Sequence, residues 1–80
     1  MEGIPDPHNV ALGRAIRRSR DEAGLTQEEL AAQAQMPIAE LSLIEDGGIE
    51  ADWGTLRHIA YGLDMDLPDL LRRAEDPASP

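Results

Sequence analysis

The chain contains no cysteine and no lysine. Without cysteine there is neither a disulfide framework nor a thiolate metal site, and sulfur chemistry is confined to Met1, Met36 and Met65. A reducing compartment suits such a chain. Lysine is the usual carrier of diffuse positive charge, and its absence argues against an unspecific polyanion or membrane glue. Apolar runs are also missing: none approaches the roughly 20 residues that cross a bilayer, and the start, Met1-Glu2-Gly3, has neither the basic nor the apolar region of a signal peptide. The expected location is the cytoplasm, with no membrane partner. No internal repeat and no low-complexity tract occurs, and no stretch alternates apolar and polar residues as a strand would. Helices have to build the whole fold.

What is present bounds the answer further. Eighty residues make one domain, and a core of that size supports a net stability of only about 3 to 5 kcal/mol unless something such as dimerisation adds to it. The net charge is -9 and is unevenly spread. Between Arg20 and Arg57 there is no basic residue, while Asp21, Glu22, Glu28, Glu29, Glu40, Glu45, Asp46, Glu50 and Asp52 all lie there. The seven arginines balance the remaining acids, so the middle is acidic and the flanks are neutral.

Prolines 5 and 7 and prolines 77 and 80 mark residues 1–8 and 74–80 as tails, leaving 9–73 as the folded unit. Helix one is expected from an Asn9 cap to about Glu22, with Leu12, Ile16, Ser19 and Ala23 on one stripe and a stop at Gly24. Thr26 and Glu29 have the spacing of a capping box, which opens a second helix with Leu30, Ala31 and Ala34 inward and an end near Gln35. A third helix follows Pro37, turns Leu41, Ile44 and Glu45 to one side and ends at Gly47-Gly48. Asp52 caps a fourth, on which Trp53, Leu56, Ile59, Ala60 and Leu63 recur at helical spacing. A short fifth opens at Asp66, carries Pro68 in its first turn and returns Leu67, Leu70 and Leu71 to the core. Five short helices with tight links make a globular all-α domain.

The string from Leu25 through Thr26, Gln27, Glu28, Glu29, Leu30 and Ala31, a four-residue gap, and then Met36 to Gly47 resembles the Cro and phage-repressor, or Xre-like, helix-turn-helix family. Gly13, Ile16 and Arg17, Gly24-Leu25, and Ile59-Ala60 with Leu63 extend the resemblance from about Leu12 to Leu71. Two helices joined by so short a turn need a small residue where they approach, and Ala31 or Ala34 supplies it. The family commonly has glycine where this chain has Gln35, so a left-handed backbone there would cost glutamine about 1 kcal/mol. The resemblance implies a five-helix repressor-like DNA-binding domain, with a buried ion pair between Arg20 and Glu45 as part of the scaffold.

It also implies roles on DNA. Helix three would enter the major groove, with Ile38, Ala39, Ser42 and Leu43 towards base edges. Gln27 and the amides near Thr26 would hold phosphate, with Asp46, Gly48 and Glu50 in the following loop. Purine edges are usually read by arginine, lysine, asparagine or glutamine; here Ser42 can hydrogen-bond, Glu40 can accept from cytosine N4, and Ile38, Ala39 and Leu43 can touch only thymine methyls. Counterion release requires cations, and none lies between Asp21 and Leu56. Arg14, Arg17 and Arg18 can supply them from helix one; the competing assignment pairs Arg17 with Asp21 and Arg18 with Glu22 at i+4. Ala39 and Leu43 stand one turn apart, facing away from Leu41 and Ile44, and form an apolar spot unless Leu43 covers the core or the Trp53 ring.

Catalysis is not expected. Glu28-Glu29 and Glu45-Asp46 are adjacent carboxylates, which diverge by about 100° on a helix and form no acid/base pair by themselves. His8 and His58 lack metal-ligand spacing, Ser19 and Ser42 lack a neighbouring histidine, and no phosphate-cradling glycine loop occurs, so no cofactor and no metal is expected. Two functions remain. The first is a small transcriptional regulator binding specific double-stranded DNA, as a homodimer; the second is an acidic helix-turn-helix module that binds a protein partner through helix three and has weak or no DNA affinity.

Overall fold

The computed structural model describes residues 6–75 as five helices, α1 (Pro7–Ala23), α2 (Gln27–Gln33), α3 (Ile38–Glu45), α4 (Trp53–Gly62) and α5 (Leu67–Glu75). The tails expected at residues 1–5 and 76–80 lie outside the described residues. Residues 7, 8, 74 and 75, expected within the tails at 1–8 and 74–80, are helical. α1 opens at Pro7, whose fixed φ suits the first helical position, and its cap is Asp6 instead of Asn9: the Asp6 carboxylate accepts from the His8 N–H at 2.8 Å. At the other end α5 continues through Ala74 to Glu75.

The remaining helix starts follow local chemistry. Thr26 Oγ1 accepts from the Glu29 N–H at 3.0 Å while Glu29 Oε1 accepts from the Thr26 N–H at 2.8 Å, which completes the capping box. Asp52 caps α4 through the Thr55 N–H at 2.8 Å. Pro37 stands just before α3 and offers no side-chain bond to it. Four helices stop in one way. A left-handed residue follows the last turn, and the next N–H returns to a carbonyl five residues back: Leu25 to Arg20, Met36 to Ala31, Gly48 to Leu43 and Met65 to Ala60. Gly24 and Gly47 adopt that conformation without strain, whereas Gln35 (φ 57°) and Asp64 (φ 58°) do so with a side chain.

The interior draws one fully buried large side chain from each helix: Ile16, Leu30, Leu41, Ile59 and Leu70. Each contributes roughly 1.5 to 3 kcal/mol of burial. Ala31 and Ala34 are also buried, and their small size allows α2 to approach α3 and α4. α1 lies against α5 on one side and α3 on the other. The approach to α3 depends on Gly13, since a Cβ there would stand 2.5 Å from the carbonyl oxygens of Ile44 and Glu45.

Two positions depart from the expected core, and the alternative left open at Leu43 is decided. Trp53, the first residue of α4, is 63% exposed. Ala23 is exposed at the frayed end of α1. Leu43 is 48% exposed and so does not serve as core cover.

Candidate nucleic-acid interface

α3 divides its eight residues by angle. At about 100° per residue, Leu41, Ile44 and Glu45 fall inward, and Ile38, Ser42, Ala39 and Leu43 make a continuous outer arc with Glu40 at its edge. The burial matches: the inner three are buried, Ile38 is 43% exposed, Ala39 and Leu43 are exposed, and Ser42 and Glu40 are half-buried. The outer arc therefore carries no charge and one hydroxyl. Glu40 turns towards a cleft of ≈ 350 Å³ that it shares with Asp52 and His58, where His58 Nδ1 lies 3.1 Å from the Ala34 carbonyl oxygen.

The charged groups are gathered at the opposite end of α3. Arg20 grips Glu45 with two bonds, Nε to Oε2 at 2.8 Å and Nη2 to Oε1 at 3.1 Å, and its Nη1 donates to the Leu25 carbonyl at 3.0 Å. The Glu45 side chain has no exposed surface. Gln27 Nε2 donates to the same Oε1 at 2.9 Å, so one carboxylate ties the start of α2 to the end of α3 and to α1. Arg17 extends across to Asp46 at 3.1 Å and to Glu45 at 3.6 Å. Burial pushes the Glu45 carboxyl up, but the hydrogen bonds from Arg20 and Gln27 and the charges of Arg20 and Arg17 together outweigh it and hold the group below the ordinary carboxylate range. The Glu45 hydrogen bond, opposed by burial, raises Arg20 above the usual guanidinium value. Among the described residues no buried side-chain polar atom lacks a partner.

Several expected site residues are therefore committed elsewhere. The Thr26 hydroxyl is used in its cap and the Gln27 amide on Glu45. Arg17 pairs with Asp46 and not with Asp21, because the close α1–α3 approach at Gly13 brings Asp46 within reach. Asp21 faces Arg20 at 3.7 Å. Glu22 meets Arg73 of α5 at 2.7 Å, and Arg73 also donates to Ser19 at 3.2 Å, contacts that no i+4 rule anticipates. Arg18 is half-buried. Arg14 is exposed with no ion pair among the described residues, on the α1 edge where Val10 touches Gly47. Arg17 thus borders the α3 exit loop, and Arg14 lies exposed three residues before it on α1.

Elsewhere the chemistry is sparse. Among the described residues no group of three or more His, Asp or Glu side chains could hold a metal ion, and no helix is long and apolar enough to cross a membrane. The adjacent carboxylates Glu45 and Asp46 are each held by an arginine.

Comparison with known proteins agrees with this geometry. Residues 11–74 match a family model described as a helix-turn-helix domain. The clp gene regulator ClgR from C. glutamicum superposes with a TM-score of 0.81 at 31% identity, over 85% of this chain and 88% of that one. A second ClgR structure, from Corynebacterium glutamicum, gives 0.82 at 29% identity over 94% and 77% of the two chains. The restriction-modification controller protein C.AhdI from Aeromonas hydrophila gives 0.76 at 26% identity over 78% and 94%. No curated protein matches the chain.

Proposed function

This chain belongs to the helix-turn-helix domain family, and from that membership we propose that it is a transcriptional regulator that binds a specific duplex DNA site through α3, as a dimer. The observation that supports this most is the outward arc of Ile38, Ala39, Ser42 and Leu43, which is uncharged and exposed at all but the half-buried Ser42. Such an arc can enter a major groove with its first residues towards base edges. Backbone N–H groups at the start of α2 and Arg14 of α1 then take phosphates, joined by Arg17 where a phosphate replaces Asp46 as its partner. The relatives described as a gene regulator and a controller protein favour the same reading. Two copies on a two-fold site sum the few cations of each, which is why a dimer suits a chain of this charge. On this reading the protein works in the cytoplasm and catalyses nothing.

Titration of labelled random duplex at about 50 mM salt and again at higher salt tests it: log affinity should fall linearly with log salt. Replacing Arg14 and Arg17 by alanine should lower the slope by about 1 for each cation that neutralises a phosphate. Sedimentation of the complex should give two chains per duplex. No binding at tens of micromolar overturns the reading and passes the arc to the second one, an acidic module for a protein partner. The observation favouring that second reading is the nine carboxylates between Arg20 and Arg57.

A further inference from the structure

We infer that the outward arc of α3 reads thymine by its C5-methyl group, so that the DNA site is specified by apolar contacts in the major groove and not by hydrogen bonds to purine edges. The inference rests on the DNA-binding reading above and adds the chemical class of the edge. Ile38, Ala39 and Leu43 have no side-chain donor or acceptor, and Ile38 and Leu43 present 43% and 48% of their surface. Ser42, between them in angle, supplies one hydroxyl. The polar side chains beside the arc are engaged or lie off it: Glu45 is locked by Arg20, the Gln27 amide of α2 by Glu45, and Glu40 lines the cleft with Asp52 and His58.

Groove chemistry converts this arc into a preference. Guanine presents two acceptors, adenine an acceptor and a donor, and cytosine a donor, so each loses water at an apolar side chain with nothing in return. Thymine alone offers a methyl group, which gains by the same contact. Ile38 and Leu43 are five residues apart, about 7.5 Å along the helix, roughly two base-pair steps of 3.4 Å. Two methyl groups within two or three steps of each other can therefore be touched by one helix. A protein partner fits the arc less well. A stable protein interface takes about 800 Å² from each side and is anchored by tryptophan, tyrosine or arginine, whereas the outward arc has only two large aliphatic side chains and one small one.

The test is selection of a preferred duplex from a random-sequence pool, followed by titration of that duplex with deoxyuridine in place of thymidine at each position. Loss of a methyl that is read should weaken binding about 4-fold, from the transfer free energy of one buried carbon. Leu43→Ser should abolish the thymidine preference at one position and keep it at the other, with helix content unchanged by circular dichroism. A selected duplex that binds equally well with uracil throughout overturns the methyl reading and leaves DNA binding intact. A pool from which no duplex is enriched, with no salt-dependent binding, overturns both.

Discussion

The two ends of α3 treat charge in opposite ways. At its exit, Glu45 is wholly buried yet bound by Arg20 and Gln27, with Asp46 beside it held by Arg17. On its outer arc, Ile38, Ala39 and Leu43 face solvent with no charge at all. A carboxylate is inside and leucine is outside, the reverse of what solvation alone favours. The comparison teaches that burial on this helix is decided by partners: the buried acid joins three helices, and the exposed apolar groups have no counterpart within the chain.

The strongest way to break that contrast is Glu45→Ala, which leaves the largely buried Arg20 guanidinium with only the Leu25 carbonyl and the more distant, exposed Asp21, and should cost about 3 to 5 kcal/mol in chemical denaturation. Acid does the same reversibly. Because the folded-state pKa of Glu45 lies below its unfolded value, its contribution is complete above the ordinary carboxylate range and is lost as pH falls through the folded value, so stability should decline there and Glu45→Ala should flatten the decline. Gly13→Ala attacks the seam from α1, forcing a Cβ against two carbonyl oxygens, and should cost about 1 to 3 kcal/mol by thermal unfolding. Gln35→Gly relieves a left-handed glutamine at the α2–α3 turn and should stabilise by up to about 1 kcal/mol. On the outer arc Leu43→Ser should change stability by no more than about 0.5 kcal/mol while altering what the arc binds. Comparable losses at Glu45 and Leu43 would erase the distinction between the two ends.

How much of this was legible depended on how local the chemistry was. The Thr26–Glu29 box and the Asp52 cap are complete within four residues and are legible in the sequence; at Gln35 the sequence left open whether the left-handed geometry is kept, and it is. Asp6 was missed in favour of Asn9 because both are good caps, and Pro7 decides between them only if the helix is taken to begin inside the proline-rich stretch. The partners of Arg17 and Glu22 lie 29 and 51 residues away, so spacing along α1 pointed instead to neighbours one turn distant. Trp53 shares the period of Leu56 and Ile59, but period alone does not reveal that the first residue of α4 is exposed while Leu56 is buried. For the candidate site, the lack of cations was visible in the sequence, whereas the engagement of Gln27 and Arg17 needed the fold.

The interior has a consequence for how the molecule comes apart. Since Ile16, Leu30, Leu41, Ile59 and Leu70 come from five different helices, no helix can detach without opening the space shared by the other four. No smaller cooperative unit is left to persist by itself, so the slowest-exchanging amides of all five helices should report one common opening free energy, equal to that of global unfolding.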